Sequence, residues 1–438
     1  MLGQLIISIL LLACTSKIQS VNMTLFYWTF AMSMISMVTY FYFKRKNNYL
    51  DFDTIFVSVG YLICFFSTFF YNQPFYNALF LGFKFNESYI NYASIVALIG
   101  FQAYFIGSLS GKKRIISRPP LRIVNSRILT IVILFCLGIF MMIGGLSHYR
   151  SIYADIEGSS NPYVTHILLL VCIFSIVLIA TEFYNMQVNH AYRPSKLSII
   201  AICVFSLLLM VVGNRTAASQ ILLPLMGLYA TFYRKLRIRE FIIFLLVGIV
   251  AMWLFQNIRS NRSINMSAQN VVLILSDLTI PSRANFAAAE YVDDNGYTIG
   301  ENMLGGVVGI VPFLTSALDL DMNRLSSAEL LTKESHYNLK TPESAQVGLG
   351  TTIIADIYLS FGVLGVIILM FILGRIITRI QLNTLMLDYY SVIVYSAFLA
   401  NSVFVARASF THPVRYIVLS LIVAIITRNI SNKQAIKS

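Results

Sequence analysis

Charge is scarce in this chain. Asp, Glu, Lys and Arg together make up 12% of 438 residues, only 19 residues are acidic, and tryptophan occurs twice. Soluble domains carry about 25% charged residues, so a water-facing shell cannot be assembled from this sequence. Cysteine is sparse as well. Cys14, Cys64, Cys136, Cys172 and Cys203 stand singly in apolar stretches, which excludes a disulfide framework and zinc-knuckle spacing. The patterns GxSxG, GxxxxGKS/T and HExxH are absent, removing nucleophile-elbow hydrolysis, P-loop ATP-driven transport and zincin chemistry. What is present is oil: 57% apolar residues, with 32 Phe and 25 Tyr. No folded water-soluble shape hides that much apolar surface. The chain reads as an all-α polytopic membrane protein.

Windows of about 20 apolar residues give about twelve transmembrane helices, at 3–18, 23–43, 52–71, 90–109, 128–146, 163–181, 197–213, 216–233, 241–258, 351–374, 389–405 and 416–427. Three regions follow: 1–258 with nine helices, 259–350 as one large loop with short helices of its own, and 351–438 with the last three. With both termini inside, 20 of the 32 Lys and Arg fall on inner connections, as cytoplasmic loops require. The loop then faces the periplasm. The formal charge of +13 is accounted for by orientation and lipid headgroups, and nucleic acid is not an expected partner. Leu2–Cys14 ends in Leu-Leu-Ala-Cys like a lipoprotein box, but no basic segment precedes it, so an uncut span is expected.

The loop holds 10 of the 19 acids. Within it, Arg283–Tyr291 reads as a short Ala-rich helix near the membrane surface, Met303–Ala317 as a Gly- and Pro-broken re-entrant or interfacial segment, and Arg324–His336 as another short helix.

Arginine on the outer side is the most informative feature. Arg215 sits in a turn of two or three residues between the seventh and eighth spans, and Arg407 and Arg415 bracket the turn before the last. Arg259 and Arg262 close the ninth span, and Arg283 opens the Ala-rich helix. Short outer loops disfavour arginine, and a bound anion would compensate, since guanidinium forks bind phosphate oxygens bidentately. Snorkelling toward headgroups is the alternative. Candidate bases share that side: His336, with an ordinary pKa near neutrality, Glu343, Asp277, and Asp356 about one turn inside the tenth span. A carboxylate that deep needs a partner, and an outer arginine is expected to supply it. Asp319-Leu-Asp321 matches the metal-nucleotide Asp-x-Asp pattern, but no nucleotide fold surrounds it.

Three segments carry a family resemblance: Gly213-Asn214-Arg215-Thr216-Ala217, Gly348–Gly362 with Asp356-Ile357-Tyr358 and Phe361-Gly362, and Ala406-Arg407-Ala408-Ser409-Phe410. With the span count and loop placement, they resemble the O-antigen polymerases, the Wzy-type oligosaccharide repeat-unit polymerases. Ala408 stands where that family's turn usually has Gly, and Asp356 where it has either an acid or a neutral residue. The resemblance implies a cofactor- and metal-independent, inverting glycosyltransferase of GT-C type in the bacterial inner membrane. Its substrates would be a polyprenyl-diphosphate-linked oligosaccharide donor and acceptor. Arg215, Arg407, Arg283, Arg259 and Arg415 would hold the diphosphate, with His336, Asp356, Glu343 or Asp277 as base. Membrane lipids and a chain-length-determining co-polymerase are the further partners expected. An O-antigen ligase shares this architecture. A repeat-unit flippase would instead line its spans with charge, and these spans are nearly charge-free apart from Asp356 and Asp388.

Overall fold

The computed structural model describes residues 1–73, 86–111, 122–153, 162–260, 279, 281–311, 325–334 and 349–437. Among the described residues there are helices and no strands. The first long segment contains α1 (Leu2–Cys14), α2 (Met23–Phe43), α3 (Phe52–Phe65, prolonged by a tight turn at Ser67–Phe70), α4 (Ile90–Ser110), α5 (Arg127–Met142) and α6 (Gly145–Tyr153). Next come α7 (Pro162–Val188), α8 (Lys196–Val212), α9 (Arg215–Phe232) and α10 (Ile238–Ser260). The loop contributes α11 (Ser282–Asn295), α12 (Leu304–Val308) and α13 (Ser327–Glu334), and the chain ends with α14 (Ile353–Leu385), α15 (Tyr389–Ala400), α16 (Ser402–Ala406) and α17 (His412–Lys437). A helix falls on each of the twelve expected apolar segments. Five stretches are long and apolar enough to cross a bilayer: Phe52–Phe70, Glu87–Ser110, Tyr163–Val188, Ile353–Leu385 and His412–Lys433.

The core is a tight pairing of α4 with α14. A Cβ on Gly107 would lie 1.9 Å from the Phe371 carbonyl oxygen, and one on Gly374 would lie 2.2 Å from that of Tyr104. Only glycine permits such backbone approach.

Two expected spans are broken. Gly362 has φ +61° and ψ −157° in the middle of α14, a conformation that glycine adopts cheaply. Ile354 and Met370 both reach Gly100 of α4, although a straight helix would separate them by about 24 Å. Residues 353–361 therefore fold back along the start of the second leg. Ile354 touches Gly100 and Tyr358 touches Tyr92, so this first leg runs antiparallel to α4, starting inside the bundle and rising to the loop end. The expected span at 389–405 is likewise interrupted, at Asn401 between α15 and α16.

The Ala-rich loop helix differs from its expected place on the membrane surface. In α11, residues Ala284 to Ala289 are buried. Asn285 meets Cys64 of α3 and Thr352 before α14, whereas Asp293 meets Lys17 and Tyr89. This helix too begins inside and runs outward, and its run of alanines allows it to sit between α3, α4 and α14. The expected re-entrant segment at 303–317 is described only to residue 311, and α12 lies against the turn before α17 through Gly306 and Thr411.

The opposite end carries a buried charge network that the apolar pattern conceals. Lys44 pairs with Asp53, and Lys46 with Asp51 at 2.5 Å. Tyr104 donates to Asp53, and Gln381 of α14 donates to Asp51 at 3.2 Å. Ser108 of α4 and Thr378 of α14 bond at 2.6 Å. Four helices are thereby fixed at this end.

Replacing Gly374 by Val should destabilise the protein by about 1–3 kcal/mol or more through overpacking. Gly138→Ala, where a Cβ meets nothing within 4 Å, should melt like the wild type. Equal melting temperatures for Gly374→Val and wild type in detergent would contradict the close α4–α14 approach.

Candidate functional site

The loop end of the bundle collects helix starts. Backbone N–H groups in a first turn have no partner within their own helix, and the peptide dipoles add positive potential there. Asn214 caps α9 by accepting from the Ala217 N–H at 3.1 Å. Thr352 caps α14 by accepting from the Ala355 N–H at 2.9 Å. The expected arginines occupy these same turns: Arg215 is the first residue of α9, Arg283 the second of α11, and Arg415 the fourth of α17. Cations ordinarily favour the opposite end of a helix, and an anion favours this one. Arginine is thus placed against the dipole in three first turns.

Contacts among neighbouring residues tie these turns together. Gln220, five residues after Arg215, donates to Asn401 at 3.1 Å and lies against Tyr416, the residue after Arg415. Arg407 ends α16, which packs on α3. Ser282, preceding Arg283, bonds Ser67 just beyond α3 at 3.0 Å. Gln220 thus links the turns of Arg215 and Arg415, Arg407 follows a helix packed on α3, and Arg283 stands beside the end of α3. Arg283 is fully buried, and the other three are half-buried. Arg259 lies in the last turn of α10, and its side chain is outside the described part. So are His336, Glu343, Asp277, Arg262, Asp319 and Asp321.

Asp356 corrects an expectation. Its carboxylate is fully buried, and the partners it has among the described residues are neutral donors, not an arginine. Asn302 Nδ2 donates to Oδ1 at 2.8 Å, and the Phe410 N–H donates to Oδ2 at 2.8 Å. Asn302 Nδ2 also donates to the Asp356 carbonyl at 3.1 Å, while Ser360 and Thr298 donate to Asn302 Oδ1. Thr411 donates to the Met303 carbonyl at 2.7 Å. The carboxylate therefore joins three separate segments: the first leg of α14, the loop residues 298–303, and the turn that bears Arg407. It also sits in the first turn of its own helix, where the dipole favours a negative group.

Asn285, Asn302, Thr352, Gln220 and Asn401 were not singled out by the sequence. All are neutral and buried, so no charge argument points to them. The signal available was the presence of amides such as Gln220 and Asn401 inside apolar spans, where each needs a partner. Among the described residues, no three of His, Cys, Asp and Glu come together to hold a metal ion.

Removing the Asn302 amide leaves Asp356 Oδ1 buried without its donor, at a cost of about 1–3 kcal/mol. Asn302→Ala should accordingly melt below the wild type, and unchanged melting would refute the tie.

Comparison with characterised proteins and with solved structures gives no match. The family model described as O-antigen polysaccharide polymerase Wzy matches residues 2–434, nearly the whole chain.

Proposed function

Because the chain belongs to the O-antigen polysaccharide polymerase Wzy family, we propose that it extends O-antigen, or a related surface polysaccharide, by inverting, metal-independent glycosyl transfer of GT-C type. The reaction takes place at the periplasmic face of the bacterial inner membrane, with about twelve helices crossing and both termini cytoplasmic. The donor is the growing chain on its polyprenyl diphosphate, and the acceptor is a newly delivered lipid-linked repeat unit.

In this reading the acceptor hydroxyl oxygen attacks the anomeric carbon of the donor from the face opposite the diphosphate. The bond from that carbon to the phosphate oxygen breaks through an oxocarbenium-like state, and the hydroxyl proton passes to a base. Negative charge grows on the departing diphosphate as the bond lengthens. What supports the proposal is that Arg215, Arg283 and Arg415 stand in the first turns of their helices and Arg407 at the end of α16. Donors fixed in advance toward developing charge are worth about 3–4 kcal/mol each. Arg259 completes the set from the end of α10.

Asp356 takes a positioning role here, because both of its oxygens are engaged by donors that hold the Arg407 turn. The base is then His336, with Glu343 and Asp277 behind it. A chain-length-determining co-polymerase is the protein partner proposed.

Two measurements test this. In a strain lacking the chromosomal copy, Arg215→Ala should leave only single-repeat lipopolysaccharide, whereas full-length ladders from correctly inserted protein would overturn the assignment. Loss of all O-antigen from the lipid A core would indicate a ligase instead. Asp356→Asn should lower the polymerisation rate while leaving the acidic limb of its pH profile in place, and His336→Ala should abolish that limb. A limb that vanishes with Asp356→Asn would make Asp356 the base.

A further inference from the structure

The end of the bundle away from the loop carries cations that its buried network does not use. Lys44 and Lys46 are paired with Asp53 and Asp51. The link from α9 to α10 adds Arg234 and Lys235 and leads into Arg237 and Arg239, and the link from α2 to α3 adds Arg45. All five of these added side chains are exposed. Arg234 pairs with Glu240. Among the described residues, no ion pair engages Arg45, Lys235, Arg237 or Arg239.

Hydrogen bonds make the two links one platform. The Tyr49 N–H donates to the Leu236 carbonyl at 2.9 Å, and the Leu236 N–H donates to Asn48 Oδ1 at 3.3 Å. Tyr49 and Leu236 both pack on a cluster formed by Leu50, Ile55, Leu223, Ala230 and Phe241. Arg45 from one link and Lys235 and Arg237 from the other are thus carried by a single fixed surface.

Arg45 is the informative member. It has φ +49°, and the following Lys46 N–H donates to the Phe41 carbonyl at 3.1 Å. This closes α2 in the motif whose left-handed position glycine usually takes. An arginine there strains the backbone, so the turn by itself is better served by glycine. What glycine lacks is the cationic side chain. Sorting of Lys and Arg to one side of a membrane requires neither this strain nor the joining of the two links.

Aromatic rings mark the level of the bilayer surface. Tyr42 and Phe43 end α2, and Tyr229 and Tyr233 stack at the end of α9 with centroids 5.9 Å apart. All four are exposed, and such rings sit at headgroup level. The cations follow them directly in both links, at the depth of lipid phosphates. Guanidinium forks suit phosphate oxygens. A zwitterionic headgroup brings a cation of its own, which the unpaired charges repel, and an anionic one does not. We propose that the joined links 44–49 and 233–239 bind the headgroup of an anionic phospholipid through Arg45, Lys235, Arg237 and Arg239.

This site is apart from the arginines of the loop end and takes from the polymerase reading only the leaflet it faces. Melting of the full-length protein in detergent tests it, because a lipid that binds the folded state raises the melting temperature. Phosphatidylglycerol should raise it well above the shift from the same amount of phosphatidylcholine, and added salt should shrink the difference. The half-saturating phosphatidylglycerol concentration should rise about fivefold for each cation removed in Arg45→Gly, Arg237→Gln and Arg239→Gln. Arg45→Gly relieves the left-handed strain, so without added lipid it should melt no lower than the wild type. Lys433→Gln, at an exposed cation near the end of α17, should keep the wild-type response. Equal shifts from the two lipids, an unchanged response in Arg45→Gly and the other folded variants, or the same protection by glycerol 3-phosphate in solution would overturn the lipid site. None of these readouts involves polymer, so the Arg215→Ala ladders judge the polymerase reading separately.

Discussion

A helix that begins inside an apolar bundle must find partners for its first N–H groups where water does not reach. That constraint organises the loop end of this protein. The first leg of α14 and the loop helix α11 both start among the spans and rise outward, and polar side chains meet the need locally. Thr352 caps one start and bonds Asn285 on the other. The same geometry directs positive potential inward, so the site's electrostatics and its architecture have one cause. Broken helices at membrane depth are tolerated only where protein or a cavity surrounds them, and both starts are enclosed by α3 and α4.

The two ends of the bundle solve the burial of charge differently. At the basic end, Lys44 and Lys46 meet Asp51 and Asp53 in a network closed on itself and joined to α4 and α14. Each charge there has an opposite partner, and nothing further is required. At the loop end, the fully buried carboxylate of Asp356 accepts from neutral donors, while arginines stand in the first turns of α9, α11 and α17. The first arrangement holds helices in register, and the second ties the start of α14 to the loop and to the turn before α17.

Much of the site was legible because arginine and carboxylate are conspicuous in so apolar a chain. Arg215, Arg283, Arg407 and Arg415 could be picked from the sequence, and each stands at a helix end. Asp356 could be picked as well, but its partner could not. A carboxylate in a span announces that it needs donors, and only the fold reveals that these are an amide 54 residues upstream and a backbone N–H 54 residues downstream.

Hydropathy by itself determined the class of the protein and the position of each long helix, because these depend on composition within a window. Whether a run of apolar residues crosses once or doubles back was decided by tertiary packing. Residues 351–374 are largely apolar, and at the Gly362 reversal Tyr297 leaves space for a backbone and no side chain. The sinking of α11 from the surface into the bundle has the same origin: alanines are equally at home in either place, and contact with α3, α4 and α14 chooses between them.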